Sequence, residues 1–135
     1  MAEYVLTSER VEVEDSIEAV YRLFQVRGWG DGLPIVPPTE DRVRRFLDYT
    51  DRDPQEVVGV IPPRWGEATV EKIAVNAVMA GCLPEYLPVV IAAVEAMADP
   101  AFNLYAIQAT THPVAPLLVL NGPIARELDV NSGYN

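Results

Sequence analysis

The sequence has a single cysteine, Cys82, so no disulfide can form within the chain. It has one histidine, His112, and only the serines Ser8, Ser16 and Ser132. None of these serines sits in a nucleophile elbow, and no Ser–His–Asp triad can be assembled. Basic residues are scarce: 10 Lys+Arg stand against 20 Asp+Glu, for a net charge of −10. That balance argues against nucleic acid and anionic membranes as partners, because phosphate binding rests on basic side chains. No run approaches the roughly 18 to 20 apolar residues that span a bilayer. The opening MAEYVLTSERVEVED is acidic and lacks the basic-then-apolar layout of a signal peptide. There is no internal repeat and no low-complexity tract. A soluble, cytoplasmic protein is expected. The 135 residues allow one domain, and the 50% hydrophobic fraction is enough for its core.

Proline, by contrast, is abundant. It numbers 12 and falls in close pairs: Pro37–Pro38, Pro62–Pro63, Pro84 with Pro88, and Pro113 with Pro116. The charge is lopsided. Every basic residue except Arg126 lies at or before Lys72. From Ile73 to Leu120 the ionisable side chains, beyond Cys82 and two tyrosines, are Glu85, Glu95, Asp99 and His112. A stretch this apolar is either deep core or a surface that another chain covers.

Periodicity gives a mixed order of helices and strands. Ser16 to Val26 repeats apolar residues at helical spacing behind an N-cap signature at Asp15–Glu18. Thr39 can cap a short helix burying Val43, Phe46 and Leu47. Asp53–Pro54–Gln55–Glu56 reads as another helix start. Val57–Ile61 is β-branched and reads as a strand closed by Pro62–Pro63. Thr69 caps a helix from Val70 to about Ala80, which Gly81 ends. An apolar helix runs from Glu85 to Ala98 behind Pro84. Phe102–Ala109 and Leu117–Leu120 read as strands, and Ile124–Leu128 as a short helix. The fold class expected is α/β or α+β, in one compact mixed domain.

Three segments carry residues capable of chemistry. In Gly28–Trp29–Gly30–Asp31–Gly32–Leu33–Pro34 the glycines would let the backbone approach a ligand closely, and Asp31 can act as acid, base or anion contact. The segment is neither a Rossmann fingerprint nor a Walker A loop, and it can equally be a structural turn with Trp29 as a packing lid. Cys82 lies just ahead of a helix N-terminus, where the dipole favours a nucleophilic thiolate, although cysteine is also a common inert core residue. Glu85, in the first turn of that helix, is either a dipole partner or a pocket carboxylate. Thr110–Thr111–His112 sets two hydroxyls beside the imidazole, an arrangement suited to oxyanion binding or general base work or simply to structure. Asn121 either caps the following helix or contacts a ligand. Nothing near Cys82 has the spacing of zinc ligands, so no metal site is assigned.

GWGDGLPIVPPTEDRV, EKIAVNAVMAGCLPEYLPVVIAAVEAM and FNLYAIQATTHPVAPLLVLNGPIARELDVNSGYN together resemble a family of bacterial proteins associated with the UGSC (seleno)protein domain. Such proteins occur alongside that domain or fused behind it, and the domain itself is distantly similar to the redox subunit of glycine and betaine reductases. The likeness runs from Gly28 onward, which makes residues 1–27 an N-terminal segment and helix and 28–135 the family-like core. The UGSC motif is absent, so any selenol or dithiol chemistry would belong to a partner. Longer relatives continue past the stretch matching Asn131–Asn135, and the resemblance implies a core truncated or processed at its C-terminus. One form of processing is a backbone cut after Asn135 that frees a nucleophile on a second chain.

The resulting expectation is one subunit of a heteromeric bacterial enzyme acting on a small polar metabolite. The resemblance implies reductive or hydrolytic cleavage of a carbon–heteroatom bond, in a site shared with a second protein chain. Cys82, His112, Asp31 and Glu85 are the catalytic candidates. Trp29, Gly30, Gly32, Thr110, Thr111 and Asn121 are the substrate-binding ones. No cofactor is identified. The alternative is a non-catalytic scaffold or maturation subunit of a redox (seleno)protein complex.

Overall fold

The computed structural model describes residues 5–134. After an extended strap, α1 runs from Ile17 to Arg27, starting where the Ser16 hydroxyl accepts from the Ala19 amide and ending at Gly28 in the left-handed region. Next come α2 (Glu40–Leu47), β1 (Val57–Ile61), β2 (Gly66–Thr69) and α3 (Val70–Met79). A 3-10 turn, Pro84–Tyr86, feeds α4 (Leu87–Ala98); a second, Pro100–Phe102, leads to α5 (Leu104–Ala109). The short helix α6 spans Pro123–Glu127. The fold is a compact mixed α+β arrangement.

The core follows from helical spacing. Val43, Phe46 and Leu47 recur at three and four residues on α2, and Val70, Ile73, Ala74, Ala77 and Val78 do so on α3. Leu87 and Ile91 of α4 close the cluster. β1 and β2 form an antiparallel hairpin, Ile61 opposite Gly66, with a bulge between Val57 and Gly59. The sheet packs on α4 so closely that a Cβ at Gly59 would lie 2.5 Å from that of Ala98. Arg52 ties this layer together from outside, bonding Glu56 at 2.7 Å and Glu95 at 2.6 Å. Those two carboxylates hold the guanidinium firmly protonated, and Arg52 in turn holds Glu56 below the usual carboxylate range.

Four local expectations need correction. Asp53–Glu56 starts no helix: the Asp53 carboxylate accepts from the Gln55 amide at 2.7 Å, making a turn that delivers the β-branched run to β1. Phe102–Ala109 is no strand. Asn103 adopts a left-handed conformation, φ 54°, that breaks the chain after the 3-10 turn and restarts it as helix α5. Leu117–Leu120 is no strand either: it has no regular secondary structure and pairs with no strand among the described residues. Asn121 caps nothing; Gly122, φ 93°, occupies the position before α6. β2 went unread because Gly–Glu–Ala–Thr lacks the β-branched signature and is held in place by its pairing with β1.

No single described helix is long and apolar enough to cross a membrane. Pro84–Ala98 and Pro100–Ala109, bent by 70°, have the length and composition only as a pair.

Candidate functional site

A cleft of about 1030 Å³ opens between the hairpin, α3, α4, α5 and the irregular segment beyond them. Its walls are largely apolar, with Ile73 and Ala77 from α3, Val94 and Met97 from α4, and Val114 and Pro116 from the irregular segment. Lys72, Asn76 and Gln108 supply polar groups. Cys82 lines this cleft half-buried, its amide donating to the Ala77 carbonyl at 3.0 Å. Gly81, φ 79°, makes the left-handed turn that releases the chain from α3 and brings the thiol there.

The other candidates do not line this cleft. Trp29 belongs to a different, smaller cleft of about 340 Å³. Its ring meets Phe24 edge-on, with centroids 5.5 Å apart, while the Arg27 guanidinium lies 5.2 Å from the Trp29 centroid. Those contacts make Trp29 the end-piece of α1. Asp31 is exposed, and its carboxylate accepts from the Leu33 amide at 3.0 Å, closing the glycine-rich turn on itself. Gly30 and Gly32 flank it in the same exposed turn. Glu85 is half-buried in the 3-10 turn before α4.

His112 is exposed, with Nδ1 3.1 Å from the Thr110 hydroxyl oxygen, which also accepts from the His112 amide at 3.1 Å. Thr110 therefore fixes the imidazole locally. Thr111 and Asn121 are exposed and make no side-chain hydrogen bond among the described residues. The processing candidate Asn135 lies outside the described residues. No three His, Cys, Asp or Glu side chains gather as a metal-binding group among the described residues.

One carboxylate was missed. Glu71 is 1% exposed and accepts from the amides of Thr7 (3.0 Å) and Ser8 (2.8 Å) and from Gln55 Nε2 at 2.6 Å. Burial pushes its pKa up, but the hydrogen bonds from Ser8, Thr7 and Gln55 outweigh that and hold it below the ordinary carboxylate value. The spacing Glu71–Ala74–Val78 sets it on the edge of the buried α3 face, the signal by which it could have been found. It clasps the N-terminal strap to the core across 64 residues of sequence.

Beside the cleft, Val114 to Leu120 belongs to neither helix nor strand. Leu117 is 84% exposed and Val119 74%, with Leu118 at 56%. Three consecutive large apolar side chains are thus left open to solvent. Its backbone groups from Ala115 to Leu120 make no hydrogen bond among the described residues. Such an edge is a ready template for another strand.

Compared with known proteins, the chain matches no protein-family model, no curated protein and no solved structure.

Proposed function

We propose that this chain is one subunit of a heteromeric assembly, docked through Val114–Leu120 onto a strand of a second, different chain that also closes the Cys82 cleft. The single observation that carries the reading is the run Leu117–Leu118–Val119, three consecutive exposed apolar side chains on backbone with no hydrogen-bond partner among the described residues. Runs of this kind sit inside sheets covered on both sides, which a two-stranded hairpin cannot supply. Among the described residues Asp31, Glu85, His112 and Cys82 share no hydrogen bond with one another, which agrees with a site completed by a second chain. The resemblance to UGSC-associated proteins directs the assembly toward a cytoplasmic bacterial enzyme that cleaves a carbon–heteroatom bond in a small polar metabolite. Cys82, half-buried in the wall of its cleft, is the side chain to which this reading gives a part in that chemistry; otherwise the subunit is a scaffold.

Native and denaturing mass on protein made from the complete natural gene tests the docking. We expect this chain to travel with a second, covalently separate one, and Leu117→Asp combined with Val119→Asp to release it. A wild-type 14.9 kDa monomer that is stable alone would overturn the proposal. In the intact assembly, Cys82→Ser separates the two roles. A contributed thiol predicts lost turnover with assembly unchanged, whereas a scaffold predicts no change in either.

A further inference from the structure

The smaller cleft, independent of the docking surface, lies half-open between the strap, α1, α2 and α3. Leu6 and Val11 of the strap, Leu23 and Phe24 of α1, Val43 of α2 and Val75 of α3 line it. Helix α1 buries no residue, and Ile17 and Val26 are 60% and 80% exposed. An amphipathic helix ordinarily presses its apolar stripe onto a core. Here the stripe faces a gap of about 340 Å³, within the range of roughly 300 to 1,000 Å³ typical of small-molecule sites.

The charges around this gap are satisfied within the chain. Arg10 pairs with Glu40 at 3.2 Å, Arg27 with Glu9 at 3.7 Å, and Glu71 is held by the strap amides and Gln55. Each charged side chain among the described lining residues thus has a partner within the chain. Thr39, at the rim, makes no capping bond with its hydroxyl although it begins α2, leaving that group available.

We infer that this cleft binds an uncharged, mainly apolar small molecule bearing one hydrogen-bonding group, which the Thr39 hydroxyl engages. The ligand fills the space between α1 and the α2–α3 face and so completes the packing of α1.

The neutral fluorophore N-phenyl-1-naphthylamine provides the test, titrated into Trp65→Phe protein so that Trp29 is the remaining tryptophan donor. Saturable binding at one site, with quenching of Trp29, is expected. Val20→Phe and Val75→Phe fill the gap from opposite walls and should each weaken binding about tenfold or more. Val94→Phe, in the larger cleft, should leave it unchanged. Val20 sits on the poorly buried α1, so its variant keeps the test decisive if Val75→Phe fails to fold. Thr39→Val should weaken competition by 1-naphthol roughly threefold to tenfold while sparing naphthalene. Non-saturable binding, affinity indifferent to filling in a folded Val20→Phe variant, or loss caused by Val94→Phe would each overturn the assignment. Equal loss of naphthol and naphthalene would overturn the role of Thr39.

Discussion

Glu71→Leu is expected to destabilise the fold by about 2 to 4 kcal/mol, because it strips the strap amides of their acceptor at a site with almost no access to water. Glu71→Gln, which keeps one acceptor oxygen and the shape but removes the charge, should cost about 1 to 2 kcal/mol. The two variants divide the effect between hydrogen bonding and ionisation. The pH dependence has a definite sign. The folded-state pKa of Glu71 lies below its unfolded value, so its ionised form contributes stability above the unfolded value, about 4.3 for glutamate. That contribution drains away as the pH falls from there through the lower folded value. Urea unfolding followed by circular dichroism at neutral and acid pH measures it. The gap between wild type and Glu71→Gln should narrow on acidification; a gap independent of pH would mean that Glu71 is not the titrating clasp.

The second large effect concerns the hairpin. Gly59→Val places branched carbons where a single Cβ would already stand 2.5 Å from Ala98, so β1 must lift from α4. A loss of about 3 kcal/mol is expected, with Gly59→Ala costing about 1 to 2 kcal/mol. Ala98→Gly removes the opposing methyl, and in the double variant with Gly59→Ala it should recover part of that loss despite glycine's own cost in a helix. Thermal melts of the four proteins in the cycle supply the coupling term. Strict additivity would show that the contact relaxes elsewhere.

How far the sequence foretold this molecule depended on whether the information was local. α2 and α3 were readable because five apolar residues of α3 and three of α2 repeat at helical spacing and all are buried. Thr69 was readable as a cap, and its hydroxyl does accept from the Lys72 amide. α5 was misread because Phe–Asn–Leu–Tyr–Ala–Ile has strand-like composition, while the deciding event is a left-handed Asn103 that composition does not encode. β2 depends on a partner strand, and a residue string shows no partner. Among the candidate site residues, Cys82, for which the sequence left a reactive thiol and an inert core residue both open, stands half-buried in a cleft, whereas Asp31 and Thr110 spend their oxygens on the turns that contain them. Asx and hydroxyl turns use the same side chains as catalysis, and spacing alone does not separate the two.

The strap clasp has a kinetic corollary. Thr7 and Ser8 reach Glu71 across most of the first half of the chain, yet the segment they anchor, through α1, adds no fully buried apolar residue to the core. A unit joined by few bonds and little buried surface opens without dragging the rest along. Native-state hydrogen exchange should therefore resolve two foldons: residues 5 to 30 releasing their amides at low free energy as one group, and α2 through α4 exchanging only by global unfolding. The chain would then spend part of its time with the strap detached and a structured remainder, so a protease should trim its beginning well before it attacks its centre.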